Sequence, residues 1–82
     1  MNTHELGQWL QHKRVERKMS MQELADACRL NLVTLYRIER GGSLPVLWVY
    51  ARMTEALGIS ADEAMAIASQ VQRRGHKPMD RE

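Results

Sequence analysis

Cys28, His4, His12 and His76 are the side chains of this chain best suited to nucleophilic or metal chemistry, and their spacing suits neither. A lone cysteine closes no internal disulfide, and with scattered histidines it makes no metal-ligand cluster, so no metal is expected. Leu24 and Ala25 put Cys28 on an apolar helix face, where a small buried hydrophobe is expected in preference to a redox sensor. No Ser/His/Asp, Cys/His or paired-carboxylate set falls where a small fold would converge it, so neither a catalytic residue nor a cofactor is expected. What remains is cationic: Lys13, Arg14, Arg17 and Lys18 in one segment, then Arg29, Arg37 and Arg40. Such groups can hold phosphate oxygens, and arginine can pair bidentately with the guanine edge. A net charge of +2 over 82 residues neither demands nucleic acid nor excludes it, so the placement of the charges has to decide.

The elements that place them read as helices. Glycine and proline are scarce, phenylalanine is absent, and Ala, Leu, Met, Glu, Arg and Gln abound, which favours an all-α domain. A chain this short carries one modest core and often gains stability by association. No apolar run reaches the roughly 18 residues of a membrane span, and the N-terminus lacks a signal-peptide pattern, so a cytoplasmic protein is expected.

The first helix begins near Thr3, capped by Asn2 or Thr3, and runs to about Arg17, with Leu6 and Leu10 one turn apart, Met19 closing its apolar side, and His12, Lys13, Arg17 and Lys18 on its outer face. "SMQE", Ser20 to Glu23, fits a capping box that starts a second helix at Met21. There Met21, Leu24, Ala25 and Cys28 keep the spacing of one buried face, and the pattern breaks at Arg29. Asn31 caps a third helix, with Leu35 and Ile38 on one face, Val33, Tyr36, Arg37 and Arg40 on another, and Gly41 and Gly42 at its end. Pro45 suits the first turn of a fourth helix that reaches Leu57 and stops at Gly58. "SADE", Ser60 to Glu63, is a second capping box, opening a fifth helix that Gly75 and Pro78 end. Residues 1–74 then form the domain and 75–82 a flexible tail.

Two helices of about eight residues joined by a turn of three or four make a helix-turn-helix, and residues 20–41 have those proportions. With Arg14, "MSMQELA", "CRLN", "LVTLYRIERG", Pro45, "EALGIS" and "DE" in one ungapped register, the chain resembles the lambda-repressor-like, Cro and Xre class of bacterial and phage DNA-binding domains over about residues 6 to 64. The resemblance implies a five-helix domain in which the second helix lies across the DNA backbone and the third enters the major groove. It makes Leu32, Val33, Tyr36 and Arg37 the candidate base contacts. It pairs Arg14 with Glu39 in a largely buried salt bridge, with the arginine also near a phosphate. It places Ser20, the Met21 N–H and Arg40 at phosphates, to which the charges and caps add Lys13, Lys18, Arg29 and Asn31.

The chain departs from the family pattern at informative places. Met21 stands where glutamine is frequent, Arg29 where the turn usually has a glycine of positive φ, and the loop "GGSL" is neutral where it is often basic. Leu32 and Val33 occupy recognition positions that are often polar. Apolar side chains make no hydrogen bond to G or A and can only pack against thymine methyls, which leaves direct readout to Arg37 with Tyr36 as a secondary contact.

The fourth helix is apolar on nearly every side, more than one small core buries, so part of it should meet a partner. Trp48 is an interface anchor or packs under the Arg52 chain, and Trp48, Val49 and Met53 with Ile67 and Val71 of the fifth helix are the expected faces of a homodimer. The expected function is a dimeric transcriptional regulator, a repressor on a palindromic operator of a phage, plasmid or toxin-antitoxin operon. A toxin or second regulator could be a further partner. The alternative is a protein-interaction module, an adaptor or anti-repressor that keeps the fold and binds another regulator through its apolar surface.

Overall fold

A computed structural model describes residues 1–71, which form five helices: α1 (Thr3–Glu16), α2 (Met21–Cys28), α3 (Leu32–Glu39), α4 (Leu47–Ala56) and α5 (Ala61–Gln70). No strand occurs among the described residues, as the all-α reading expects. None of these helices is long and apolar enough to cross a membrane.

Local chemistry sets the starts. Asn2 caps α1 in a reciprocal box with Glu5, its Oδ1 accepting the Glu5 N–H at 2.8 Å while Glu5 Oε1 accepts the Asn2 N–H at 2.9 Å. Ser20 and Glu23 form the same box on α2. Asn31 Oδ1 accepts the Val33 N–H at 2.8 Å and caps α3. At α5 only half of the expected box forms: Ser60 Oγ accepts the Glu63 N–H, and the Glu63 carboxylate turns to Lys13 at 3.4 Å.

The ends share one geometry. After α1, α2, α3 and α4 a residue of positive φ lets the following N–H reach back to a carbonyl five residues earlier, Met19 to Arg14, Leu30 to Ala25, Gly42 to Arg37 and Ile59 to Thr54. Gly41 and Gly58 take this conformation freely, whereas at the ends of α1 and α2 it falls on Lys18 and Arg29, both at φ 57°.

Two boundaries differ from the sequence-based expectation. Pro45 lies ahead of α4, not in its first turn: Val46 holds the N-cap position without a side-chain bond. Helix α5 ends at Gln70, with Val71 extended, rather than at Gly75. The expected stops at Gly75 and Pro78, the boundary at residue 74, the tail 75–82 and His76 lie outside the described residues.

Leu10, Leu24, Leu35, Met53 and Cys28 are the largest fully buried side chains and bring α1 to α4 onto one core. Helices α2 and α4 pack together, as do α1 and α3, and α2 and α3. The Tyr50 hydroxyl donates to the Ala64 carbonyl at 2.6 Å and holds α5 against α4. Val49 and Met53 are 6% and 0% exposed. This corrects their assignment to a dimer face, since both side chains are consumed by the chain's own interior.

Candidate nucleic-acid interface

The second helix of the pair must be held at a defined angle before its outer side can recognise anything, and Arg14 does the holding. Its Nε and Nη2 donate to the two carboxylate oxygens of Glu39 at 2.8 and 3.0 Å, and its Nη1 donates to the Met19 carbonyl at 2.7 Å. One buried guanidinium therefore ties α1 to the end of α3 and to the turn that starts α2. Close approach of α1 and α3 needs Gly7, where a Cβ would meet the Ile38 and Glu39 carbonyl oxygens, the latter at 2.7 Å. With three donors committed inside the fold, Arg14 is a positioning residue.

On α3, Leu35, Ile38 and Glu39 face inward. At 3.6 residues per turn, Leu32, Tyr36, Arg40, Val33 and Arg37 fall in that angular order within an arc of about 140°. Leu32, Val33 and Tyr36 are 41%, 55% and 47% exposed, and Arg37 and Arg40 are exposed beside them. The four candidate base contacts thus share one outward face. The Arg40 guanidinium lies 5.4 Å from the centre of the Tyr36 ring, a cation–π contact within the stripe.

The surrounding charge is positive. Among the described residues the ion pairs are Lys13–Glu63 and Arg14–Glu39, with a His12–Glu16 contact at 3.3 Å, and Lys18, Arg29, Arg37 and Arg40 enter none of them. Lys18 precedes α2 and Arg29 precedes α3, both exposed. At the start of α2, Ser20 and Glu23 satisfy each other's N–H, and the Met21 and Gln22 amides stand at the positive end of the helix dipole. The Met21 side chain is half-buried against the core, so that position can offer an anion its backbone N–H. Ser20 and Asn31 are exposed, with Ser20 Oγ and Asn31 Oδ1 engaged in caps.

Lys13, expected at a phosphate, makes contacts within the chain. It is half-buried, paired with Glu63 and over the Trp9 ring at 5.9 Å, so it fastens α1 to α5. Trp48 takes the second of its two expected forms, with Arg52 at 5.0 Å over its ring, yet it stays exposed together with Val46 and Leu47. Ile67 and Val71 are half-buried against the core.

Sequence reasoning missed two roles. Arg52 Nη1 donates to the Cys28 carbonyl at 3.3 Å and caps the end of α2 from α4, a contact that only the tertiary packing creates. The Tyr50 bond to Ala64 likewise joins residues far apart in sequence. Burial pushes the Cys28 thiol above its usual value against an opposing pull from Arg52. The thiol therefore stays protonated near neutrality, as a core cysteine rather than a reactive one.

Residues 5–66 match the family model of a helix-turn-helix domain. Two crystal structures of the clp gene regulator ClgR from Corynebacterium glutamicum superpose on this chain with TM-scores of 0.72 and 0.73, each at 28% identity. Each alignment covers 83% of this chain, and they cover 87% and 72% of the two ClgR chains. No curated protein sequence matches the chain.

Proposed function

The chain belongs to the helix-turn-helix domain family, in its lambda-repressor-like form, and from that premise we propose that it is a DNA-binding transcriptional regulator that reads a specific operator with α3. The observation that carries this reading is the exposed stripe Leu32, Val33, Tyr36 and Arg37 on a helix locked from behind by Arg14 and Glu39. Arg37 pairs with a guanine, and the apolar residues pack against thymine methyls. Lys18, Arg29 and Arg40, with the Met21 amide, hold phosphates and set the register, with Ser20 and Asn31 beside them. The ClgR likeness supports the same class of activity, since that protein is a gene regulator.

The regulator acts as a homodimer on a palindromic operator, with two copies of α3 about one DNA turn apart, and represses. The exposed Val46, Leu47 and Trp48 at the start of α4, with Ile67 and Val71 of α5, supply the apolar surface for that pairing. A small regulatory circuit of the phage, plasmid or toxin-antitoxin kind fits such a molecule, and it catalyses nothing.

The same exposed α4 surface favours a second reading, in which the protein is an adaptor or anti-repressor that binds another regulator. A gel shift with the purified chain on its own upstream DNA, run at low and high salt beside a sedimentation measurement at tens of micromolar, separates the two. A salt-sensitive, sequence-dependent shift by a dimer supports the operator reading. Absence of any shift at low salt, with capture of a regulator, supports the adaptor. A monomer under those conditions contradicts the paired-helix arrangement.

A further inference from the structure

The first turn of α3 presents hydrocarbon to whatever it meets. Leu32 and Val33 are exposed side by side, with Tyr36 one turn on, and two of the polar groups beside them have partners within the chain. Asn31 Oδ1 accepts the Val33 N–H at 2.8 Å, and the Arg40 guanidinium covers the Tyr36 ring at 5.4 Å. On the major-groove edge, donors and acceptors distinguish the bases, and Leu and Val have neither to match them. What an alkyl side chain can recognise on that edge is the methyl group on pyrimidine C5.

Thymine carries that methyl, and 5-methylcytosine carries it on the same ring carbon. The two differ at C4, where one has a carbonyl and the other an amino group. Each of these polar groups stands beside the methyl in the groove, and each needs water or a polar partner when crowded by hydrocarbon. Leu32 and Val33 offer no partner to either, so they have no chemical means of preferring one base to the other.

Resting on the DNA-binding reading above, we propose that Leu32 and Val33 form a methyl-reading patch whose ligand is the pyrimidine C5 methyl group, whichever base carries it. Cytosine methylation at the steps beneath the first turn of α3 then strengthens binding where unmethylated cytosine is rejected. The patch works without hydrogen bonds, so its discrimination is set by burial of one methyl and is modest at each step.

Duplexes bound by the full chain are first selected from a random pool. In one selected duplex, each thymine is then replaced in turn by deoxyuridine, and the same steps are tested as C·G pairs with and without the C5 methyl. Loss of about fourfold with deoxyuridine, and a gain of about fourfold from methylating cytosine, are expected at the steps under Leu32 and Val33. The Leu32→Ala and Val33→Ala variants, both at exposed positions, should bind the selected duplex more weakly and lose that sensitivity at the step each one covers. Equal affinity for thymine and deoxyuridine at every step, with specific binding intact, overturns the methyl reading alone. Methyl sensitivity that survives in both variants overturns the assignment to these residues. Failure to enrich or bind any duplex at low salt overturns the DNA-binding reading, and the methyl patch with it.

Discussion

Arg14 and Glu39 meet in a buried bidentate pair, Nε to Oε2 at 2.8 Å and Nη2 to Oε1 at 3.0 Å, across 25 positions of sequence. The remaining bond of that guanidinium, to the Met19 carbonyl, reaches the turn in front of α2. Both helices of the candidate interface are therefore referenced to one point on α1. Glu39→Ala would leave the arginine charge buried without its partner, and a loss of about 3–5 kcal/mol is expected in thermal or urea unfolding. A loss below about 1 kcal/mol would mean that the pair positions α3 without holding the fold together.

Gly7 can be tested beside Gly42. A Cβ at Gly7 runs into backbone oxygens of α3, whereas one at Gly42 meets only the Arg37 carbonyl at 3.5 Å. Gly7→Ala should destabilise the protein by about 1–3 kcal/mol or more, as overpacking against rigid backbone does, and Gly42→Ala should be nearly neutral. Equal effects in equilibrium unfolding would contradict the close packing of α1 on α3.

Arg29 carries a predicted conflict between stability and binding. Its φ of 57° favours glycine, so Arg29→Gly should raise stability by up to about 1 kcal/mol. Removing a phosphate contact should at the same time weaken DNA binding and reduce its salt slope by about 1. Unchanged binding in a stabilised variant would remove Arg29 from the interface.

Tyr50 gives the fold an alkaline limit. Burial, with a smaller contribution from the nearby Glu63 carboxylate, holds its phenol above the ordinary 10.0. The neutral form is thus favoured in the native state, its stabilising effect is complete below that ordinary value, and it is lost as pH rises through the higher native one. Tyr50→Phe forfeits the hydrogen bond to Ala64, about 1 kcal/mol at neutral pH, and keeps its stability better above pH 10. Parallel stability profiles of the two proteins from pH 8 to 11 would refute the buried bond.

Most helix starts were legible because short-range chemistry sets them: the Ser20–Glu23 box and the Asn31 cap need only neighbours in sequence. Pro45 misled because a proline suits the residues just before a helix as well as its first turn, and the turn after α3 uses it there. Glu63 left its expected box because Lys13, fifty positions away, offered an opposite charge. Periodicity marked α4 as apolar without distinguishing its inward from its outward side. Val49 and Met53 went to the core while Leu47 and Trp48 stayed outside, a choice made by the position of α2 and α5. The outward placement of Val33, Tyr36, Arg37 and Arg40 was legible, since Leu35 and Ile38 define the opposite, buried face.

Arg37 carries the hydrogen-bonded part of the proposed readout, so its removal is the most direct measurement of the central claim. Wild-type and Arg37→Ala proteins are compared on a selected operator and on every single-base-pair variant of it. A loss of about 1–3 kcal/mol confined to one base pair per half-site, with relaxed preference there and an unchanged melting temperature, is the predicted result. A uniform loss across all sequences, or none, would contradict recognition by α3.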